Sequence, residues 1–527
     1  MRSQRVAFAL AAALVVALAA AAPAFAAGAL PLRIALNADI RGLEPGVNRD
    51  ANTDLVIHHI VEGLVAHRAD MSIGPALADS WTTSADGKTY TFKLRRGVSF
   101  HNGKPLTSAE VKWSWDRYLA PASGWACRGW FDGSASGADG GLRIEAIETP
   151  DAGTVIFRLD RPSGLFLAQL ASIQCPSAVL HPASLDAQGK WREPVATGPY
   201  KLADWKRGQY VELVRHGGYV PRKEPRSGYA GARVPSIERL RFVVVPEEVA
   251  AVAALRAGSI DVVQNVAVDQ IPALQKNPAL RVTHQSLLGW TALLLNTRDP
   301  VLRDVRVRQA LARAIDRGQA VKVNTGGYAK VNSSAVPVDS AYYTPAHRAW
   351  PPYDLQKARE LLRAAGYRGA PIRIQTNRRY KNMFDNALMM QAMLQAAGVR
   401  AELEVMDWAA QLARYQAGEF QLSSFSFSAR LDPAFTYANL IGDKGKRGTV
   451  QWEDAAASQL LERLMTQVDA ADRKATMEQL HQRMAVQVPI IGLYNGHWAI
   501  VTRADVKDVM HWPAGTLAFW GVTRASR

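Results

Sequence analysis

The sequence predicts a mixed α/β protein folded in several lobes. The chain has 527 residues, of which 48% are hydrophobic and 21% are charged, which is a globular composition. Segments with the alternating pattern of β-strands are interspersed irregularly with segments of helical periodicity, and no repeat of fixed length appears. A chain of this length can form two or three domains of ordinary size.

A half-buried strand is predicted after Trp81. Tyr90, Phe92 and Leu94 alternate there with Thr91 and Lys93, as expected when one face of a strand is buried. Loops rich in Gly, Ser and Pro are expected near residues 134–141 and 221–235.

Three helices are predicted from their end signals. Thr107 to Glu110 matches a capping box and opens the first helix, a second begins near Asp304, and a third runs from Asp354 to Gly366, a suitable C-terminal cap. The side chains predicted to be buried are Val111, Trp115 and Tyr118 in the first, Val307, Leu311, Ala314 and Ile315 in the second, and Ala358, Leu361, Leu362 and Ala365 in the third.

The N-terminus has the features of a cleaved secretory signal peptide over residues 1–26. Arg2 and Arg5 precede an apolar run over residues 6–22, and Ala24-Phe25-Ala26 is a cleavage pattern. The alternative is a single membrane anchor, since the run approaches the length that spans a bilayer. No cysteine lies near the cleavage point, so lipid attachment there is not expected. The mature chain is therefore expected to be free in an oxidising compartment, most simply a bacterial periplasm.

The two cysteines, Cys127 and Cys175, are predicted to form one disulfide, because the count is even and the chain is exported. By the loop-entropy relation this bond contributes roughly 4 kcal/mol to stability. Neither cysteine has the neighbouring charges that stabilise a catalytic thiolate.

The chain is basic, with a formal net charge of +16, or +14 without Arg2 and Arg5. The Lys and Arg residues are spread along the whole length and form no basic arm. Because the chain is exported, nucleic acid is not expected as a partner. The charge is interpreted as a solvated surface with a weak preference for anionic partners.

Several strings of residues, taken in order, resemble one family of proteins. They are ALADSW, DGKTYTFKLRRGVSFHNGKPL and SAEVKWSWDRYL within residues 76–119, TGPYKL at 197–202, AALRAGSIDVV at 253–263, DVRVRQALARAIDR at 304–317, ARELLRAAGY at 358–367, and VPIIGLYN at 488–495. They resemble the family 5 solute-binding proteins, which are the peptide- and nickel-binding receptors of ABC importers. The residues themselves are mostly turn and core positions, so they indicate the fold, and the ligand must be argued from other residues.

The resemblance implies the two-lobe periplasmic binding protein fold of the cluster C type, with an extra subdomain in lobe I. Lobe I is expected over residues 27–290 plus 497–527, with the inserted subdomain at about 50–195, and lobe II over 291–496. The resemblance also implies lobes that close over a ligand, delivery to ABC permease subunits in the inner membrane, a monomer, and no cofactor or metal.

The segment at residues 422–432 is the first candidate for ligand contact. In peptide-binding members an aromatic residue here precedes an aspartate that pairs with the ligand's ammonium, whereas this chain has Phe427, Ser428, Ala429 and Arg430. Arginine has five donors and no acceptor, so it suits a carboxylate, phosphate or phosphonate. The alternative for Arg430 is a surface group or the partner of a nearby acid. Asp432 is interpreted either as a helix cap before Pro433 or as a ligand contact.

Other candidate ligand contacts follow from position. Leu43 and Glu44 lie in a segment that resembles the family's early cleft segment, and Glu44 could alternatively be a loop carboxylate in solvent. The aromatic residues at the expected crossings between lobes could enclose a ligand or be buried packing. These are Trp290, Tyr494 and Trp498. Trp408 is interpreted as core packing.

A secreted hydrolase is the main alternative of another class, but the sequence has no Gly-x-Ser-x-Gly elbow, no His-Glu-x-x-His zinc helix and no phosphate-binding loop with its Lys. The cluster of His58, His59, Glu62 and His67 lacks the ligand arrangement that zinc requires. The expected function is a receptor for a small polar solute, most simply a peptide or peptide-like solute with an anionic end. A metal chelate, an opine, a glycan fragment, another small anion and a signalling role remain alternatives.

Overall fold

The computed structural model describes residues 30–134 and 141–525, so the predicted signal peptide and most of the predicted loop at 134–141 lie outside the described residues. The strands are β1 Leu32–Leu36, β2 Val65–His67, β3 Ile73–Pro75, β4 Ala78–Thr83, β5 Thr89–Leu94, β6 Ile144–Asp151, β7 Thr154–Leu159, β8 Tyr200–Lys206, β9 Tyr210–Arg215, β10 Arg239–Val244, β11 Val262–Val263, β12 Leu280–Leu295, β13 Lys330–Val331, β14 Ile372–Asn377, β15 Ala401–Met406, β16 Leu422–Phe427, β17 Ile490–Arg503, β18 Val506–Lys507, β19 Met510–Trp512, β20 Thr516–Ala518 and β21 Thr523–Arg524.

The α-helices alternate irregularly with these strands, as the sequence predicts. They are α1 Ala51–Ile57, α2 Ser108–Leu119, α3 Gly129–Asp132, α4 Phe166–Leu170, α5 Glu248–Arg256, α6 Ile271–Gln275, α7 Val305–Ala314, α8 Arg317–Thr325, α9 Leu355–Ala364, α10 Lys381–Ala396, α11 Trp408–Ala417, α12 Pro433–Leu440, α13 Ala455–Thr466 and α14 Ala470–Gln487. Short 3-10 turns lie at Pro182–Ser184, Val268–Gln270 and Pro345–Arg348. Within the described residues, no helix is both long and apolar enough to cross a membrane.

The predicted helix ends are confirmed. The Thr107 side chain and the Glu110 side chain form the reciprocal bonds of a capping box at the start of α2. Asp304 caps α7, Asp354 caps α9, and Gly366 has a positive φ of 71° just after α9. The N-terminal caps accept from backbone N–H groups that a helix leaves without partners, and at the end of α9 the Gly366 N–H donates to the Arg363 carbonyl at 3.0 Å.

A mixed sheet of eleven strands is the framework of the molecule. Its order is β15-β14-β16-β12-β17-β11-β1-β10-β9-β8, and β13 also pairs with β17. The long strands β12 and β17 are antiparallel neighbours at its centre. We call the part built on β1 and β8–β11 lobe I, and the part built on β14–β16 lobe II.

The two central strands belong to both lobes. The first half of β12 pairs with the second half of β17, from Leu280 opposite Arg503 to Ser286 opposite His497. The pairing then shifts and resumes at Trp290 opposite Asn495. The chain therefore crosses between the lobes twice, near Trp290 and near Asn495. The predicted lobe limits lie close to these crossings and stay a prediction.

A separate four-stranded antiparallel sheet, in the order β4-β5-β7-β6, forms an additional unit within the lobe I chain. It has its own core, which includes Trp115 of α2, Phe92 and Phe157. The predicted disulfide between Cys127 and Cys175 is present, and both half-cystines are part of this core. Helix α1 packs instead in the lobe I core through Leu55, Val56 and Ile57.

Candidate functional site

Three parallel strands of lobe II end at the same edge of the sheet. Strand β14 is parallel to both β15 and β16. The residues that follow the strands are Arg378, Arg379 and Tyr380 after β14, Asp407 and Trp408 after β15, and Ser428, Ala429 and Arg430 after β16. Ligands of open α/β sheets bind at the carboxyl ends of parallel strands, so this edge is a candidate binding surface.

Aromatic rings form a continuous row along this edge. The ring of Tyr380 meets Trp408 at 4.9 Å between centroids, and Trp408 meets Phe425 at 5.8 Å. Phe425 lies 5.1 Å from Phe427, which stacks on Trp290 at 6.0 Å. Tyr380 is exposed and Phe425 is buried, so the row extends from the surface into the core. Such rings offer rigid apolar walls at small entropic cost.

The edge is also cationic. Within residues 30–134 and 141–525, Arg378, Arg379 and Arg430 have no carboxylate partner. Arg378 lies over the ring of Phe384 at 4.7 Å and Arg379 over that of Tyr380 at 6.0 Å. The guanidinium of Arg430 is half-buried and donates no hydrogen bond to the described residues. Three unpaired guanidinium groups at one edge attract an anionic group.

Arg430 lines a cavity of about 200 Å³ between lobe II and the additional unit. Trp130 of α3 stacks on Phe435 of α12 across this cavity, with centroids 6.1 Å apart and planes inclined by 22°. The remaining lining residues are Ala168, Ser172, Ile173, Gln174, Ala429, Leu431 and Ala514. We call this the interlobe cavity. Arg430 is its one charged lining residue, and most of the other walls are apolar.

Asp432, two residues after Arg430, takes the role of a helix cap. Its Oδ1 accepts from the backbone N–H of Ala434 at 2.9 Å, at the start of α12. Nη2 of Arg473 donates to both carboxylate oxygens, at 2.8 and 2.7 Å. Burial disfavours the charge of Arg473, but the adjacent Asp432 carboxylate outweighs burial and raises the pKa of the guanidinium. The cap interpretation of Asp432 is confirmed, and its carboxylate is already paired.

Lobe I has a matching edge. Strand β1 is parallel to β10 and β11, and the residues after these strands are Asn37, Val245 and Gln264. All three line a cavity of about 500 Å³, which we call the lobe I cavity. Trp498, in the second half of β17, is part of its wall. Both lobes therefore present the carboxyl ends of parallel strands beside the crossing segments, as expected for a cleft between them.

The family model for bacterial extracellular solute-binding proteins, family 5 Middle, matches residues 72–449. The chain belongs to this family.

Relatives and solved structures agree with this assignment. The chain is 29% identical over 385 residues to the glutathione-binding protein GsiB of Pectobacterium atrosepticum, covering 71% of this chain and 69% of that protein. It resembles the peptide complex of the periplasmic binding protein DppA from Helicobacter pylori at 25% identity and a TM-score of 0.69, covering 94% of this chain and 98% of that one. AgaA of A. tumefaciens R10, solved with agropinic acid, matches at 25% identity and a TM-score of 0.68, covering 94% of this chain and 99% of that one. Family 5 membership establishes the two-lobe fold and a transport receptor rather than a hydrolase.

Two predicted contacts of this family 5 protein lie in the core. Trp290 is 3% exposed and donates from Nε1 to the Asn332 carbonyl at 3.1 Å. Tyr494 is 2% exposed, and its hydroxyl accepts from Nδ2 of Asn386 at 2.7 Å. Burial raises the pKa of the Tyr494 hydroxyl. Both residues are therefore packed inside the protein, and their role as ligand contacts stays a prediction.

The early segment lies apart from the cationic edge. Leu43 is buried in the lobe I core. Glu44 is neither free nor fully solvated, because Arg117 of α2 donates to its carboxylate. Ser428 is exposed and Phe427 is half-buried at the end of β16. Of the predicted contacts, Ala429 and Arg430 line the interlobe cavity and Trp498 lines the lobe I cavity.

Sequence reasoning missed Arg378, Arg379, Tyr380 and Trp130, and placed Trp408 only in the core. A signal was present: alternating Ile372 and Ile374 predict a strand, and the polar run after Asn377 marks its carboxyl end. The parallel pairing of β14 with β16 brings this run to the same edge as Arg430. This pairing cannot be predicted from the local sequence. Trp130 reaches the site only through the contact between α3 and α12.

Proposed function

We propose that this protein is a periplasmic receptor for a small solute that carries a carboxylate, most simply a peptide or peptide-like solute. It captures the solute without chemical change and delivers it to the permease subunits of an ABC importer. The observation that carries the proposal is the set of three unpaired guanidinium groups, Arg378, Arg379 and Arg430, at the carboxyl edge of lobe II.

The chemistry of this edge selects a planar anion. A guanidinium can donate two parallel hydrogen bonds to one carboxylate, and such charge-assisted bonds are roughly twice as strong as neutral ones. The interlobe cavity adds the rings of Trp130 and Phe435 beside Arg430, which suits an apolar group next to the anion. Asp432 offers no free carboxylate to an ammonium at this position, because Arg473 already occupies it.

The names of relatives support the same ligand class. GsiB is named for binding glutathione, DppA was solved with the peptide STSA, and AgaA with agropinic acid. Glutathione, free peptides and agropinic acid all carry carboxylate groups. The segment after Phe427 contains Arg430, whereas the peptide-binding members have an aspartate in this segment, which is consistent with anchoring such a group in lobe II.

The remaining parts of the proposal concern shape and location. The lobes are residues 27–290 with 497–527, and 291–496, which close over the solute about the crossings in β12 and β17. The signal peptide is residues 1–26, the mature protein lies free in the periplasm, and it works as a monomer. Closure of two lobes around a ligand is a common way to couple capture to a change of shape.

The test is calorimetry on the mature protein with a panel of solutes, each paired with its ester. The panel contains glutathione, trialanine and an opine, and the esters remove the negative charge of the carboxylates. We expect at least one member to bind, its ester to bind at least tenfold more weakly, and small-angle scattering to show compaction with the acid form only. Equal binding of acid and ester, or no binding by any member, would contradict the proposal. Release of a new product from any of them would contradict the receptor assignment.

A further inference from the structure

The additional unit contacts lobe II through the loop that joins β7 to α4. In this loop the backbone N–H of Gly164 donates to the carbonyl of Met465, in α13, at 2.9 Å. Gly164 belongs to the lobe I part of the chain and Met465 to lobe II, so this hydrogen bond joins the two lobes. We call residues 163–165 the docking loop.

Leu165 of the docking loop is buried in the core of lobe II. Its side chain is 1% exposed. The other buried members of the same hydrophobic core all lie between Trp290 and Ile490, and they include Leu464 of α13. Removing Leu165 from this core would expose apolar surface to water, so its burial favours contact between the lobes.

The docking loop is held in shape by the additional unit itself. The hydroxyl of Tyr90, in β5, donates to the Ser163 carbonyl at 3.0 Å. The Ser163 hydroxyl accepts from the backbone N–H of Leu165 at 3.2 Å. A loop that is already ordered loses little conformational freedom when it docks, which makes the contact more favourable.

Gly164 allows a close approach that a side chain would prevent. A Cβ at this position would overlap the carbonyl oxygen of Gln467 and Nη1 of Arg473, and both atoms belong to lobe II. The backbone of Gly164 does not have the positive φ that favours glycine. The missing side chain therefore serves the contact between the lobes and not the conformation of the loop.

Two further contacts join the same parts of the molecule. The Asp70 carbonyl, in the turn between β2 and β3, accepts from the backbone N–H of Ala341 in lobe II at 2.7 Å. Trp130 stacks on Phe435 across the interlobe cavity. Neither Gly164 nor Leu165 lines the interlobe cavity or the lobe I cavity, so the docking loop lies outside the walls of both cavities.

We propose that the docking loop is a latch that stabilises the closed arrangement of the lobes directly, so that Gly164 and Leu165 set the affinity for every solute without touching it. This inference rests on the proposed closure of the lobes. When a solute binds only one arrangement of a protein, its apparent Kd is the intrinsic Kd divided by the fraction of protein in that arrangement. A weaker latch lowers this fraction and weakens the binding of all solutes by the same factor.

The test uses two variants that weaken the latch in different ways. Gly164→Ala adds a methyl group that overlaps lobe II only when the loop is docked, and Leu165→Ala removes the side chain that the lobe II core receives. Gly217→Ala is the control, because a Cβ there meets no atom within 4 Å. Small-angle scattering of the mature protein without solute should give both variants a larger radius of gyration than the natural protein and the control.

Calorimetry with glutathione and trialanine measures the effect on binding. We expect both variants to bind each solute at least tenfold more weakly than the natural protein, and by factors that agree within threefold between the two solutes. The stoichiometry should stay unchanged, which shows that the variants are folded. The ratio between acid and ester should also stay unchanged, because the latch does not contact the carboxylate.

The outcomes separate the latch from the proposed function. Variants with the radius of gyration and the affinities of Gly217→Ala overturn the latch, and so does a loss of affinity confined to one solute. Equal binding of acid and ester overturns the proposed function and leaves the latch in place. If no member of the panel binds, the proposed function fails, and the scattering comparison without solute still decides whether the latch exists.

Discussion

Arg473 and Asp432 form a buried ion pair that joins α14 to the start of α12. The side chains are 2% and 5% exposed, and Nη2 of Arg473 donates to both oxygens of the carboxylate. The same guanidinium donates from Nη1 to the Leu464 carbonyl at 2.8 Å. The pair therefore holds the segment that carries Arg430 against the helical part of lobe II.

Breaking this pair is expected to destabilise the protein strongly. Arg473→Met leaves the Asp432 carboxylate buried without a counter-charge, which costs about 3–5 kcal/mol in comparable cases. Lys474→Met, at the next position on α14, is the control and should change stability little. Urea unfolding followed by circular dichroism measures the difference. Adding Asp432→Asn, which keeps a capping side chain, should restore part of the loss. A loss below about 1 kcal/mol in the single variant would show that the pair is not structurally important.

Arg430 is expected to affect ligand binding and not folding. Arg430→Ala should weaken binding of the cognate carboxylate at least tenfold, or about 1.4 kcal/mol, with an unchanged melting temperature. The affinity of Arg430→Lys should lie between those of the natural protein and Arg430→Ala, because lysine keeps the charge but not the planar pair of donors. Arg363→Ala, at an exposed position on α9, is the matched control. Unchanged affinity in Arg430→Ala would remove this residue from the site.

The disulfide is expected to stabilise the additional unit. Cys127 and Cys175 are 48 residues apart and lie in a core of aromatic rings. Closing a loop of this length contributes about 4 kcal/mol by the loop-entropy relation. The variant with both cysteines changed to serine should unfold at a lower urea concentration than the oxidised natural protein. Dithiothreitol should lower the urea midpoint of the natural protein and leave that of the variant unchanged. Equal midpoints for the oxidised and reduced forms would contradict this.

Stability is expected to fall as the solution becomes more acidic. Burial lowers the pKa of His58, His101, His347 and His481 to about 4, from an ordinary value of 6.5. The unfolded chain therefore binds more protons than the folded one between these values, so stability is lost as the pH falls from about 6.5 towards 4. Each such histidine contributes roughly 2 kcal/mol to the loss between pH 7 and pH 5.

One carboxyl group opposes this trend. Burial raises the pKa of Asp54 to about 6, against the effect of Arg49, so Asp54 takes up a proton in the folded state as the pH falls. Four histidines outweigh one carboxyl, and urea midpoints measured from pH 7 to pH 5 should decrease. His481→Gln should make the decrease shallower. A flat or rising midpoint over this range would contradict the prediction.

Local patterns predicted the elements well. The capping box at Thr107 and Glu110, the alternation of Tyr90 and Phe92, and the helix limits at Asp304 and Gly366 all depend on residues a few positions apart. Hydrogen bonding at helix ends and the periodicity of burial act over the same short range. The disulfide was also predictable, because only two cysteines were available to pair.

The partners of charged residues were not predictable in this way. Glu44 pairs with Arg117, 73 positions away, and Asp432 pairs with Arg473, 41 positions away. Whether Arg430 has a carboxylate partner also depends on which side chains the fold brings near it. Many other arginines of the chain do have carboxylate partners, so the residue type alone does not predict this.

The sequence by itself determined the local elements, the cysteine pair and the family, because each of these depends on neighbouring residues or on a fixed order of short strings. Only the tertiary structure decided which charges meet. The parallel pairing of β14 with β16 brings Arg378 and Arg379 to the edge of Arg430, and the pairing of β1 with β10 and β11 forms the lobe I cavity. Strand order is set by packing over the whole sheet, so the position of a binding site is a property of the fold and not of any one segment.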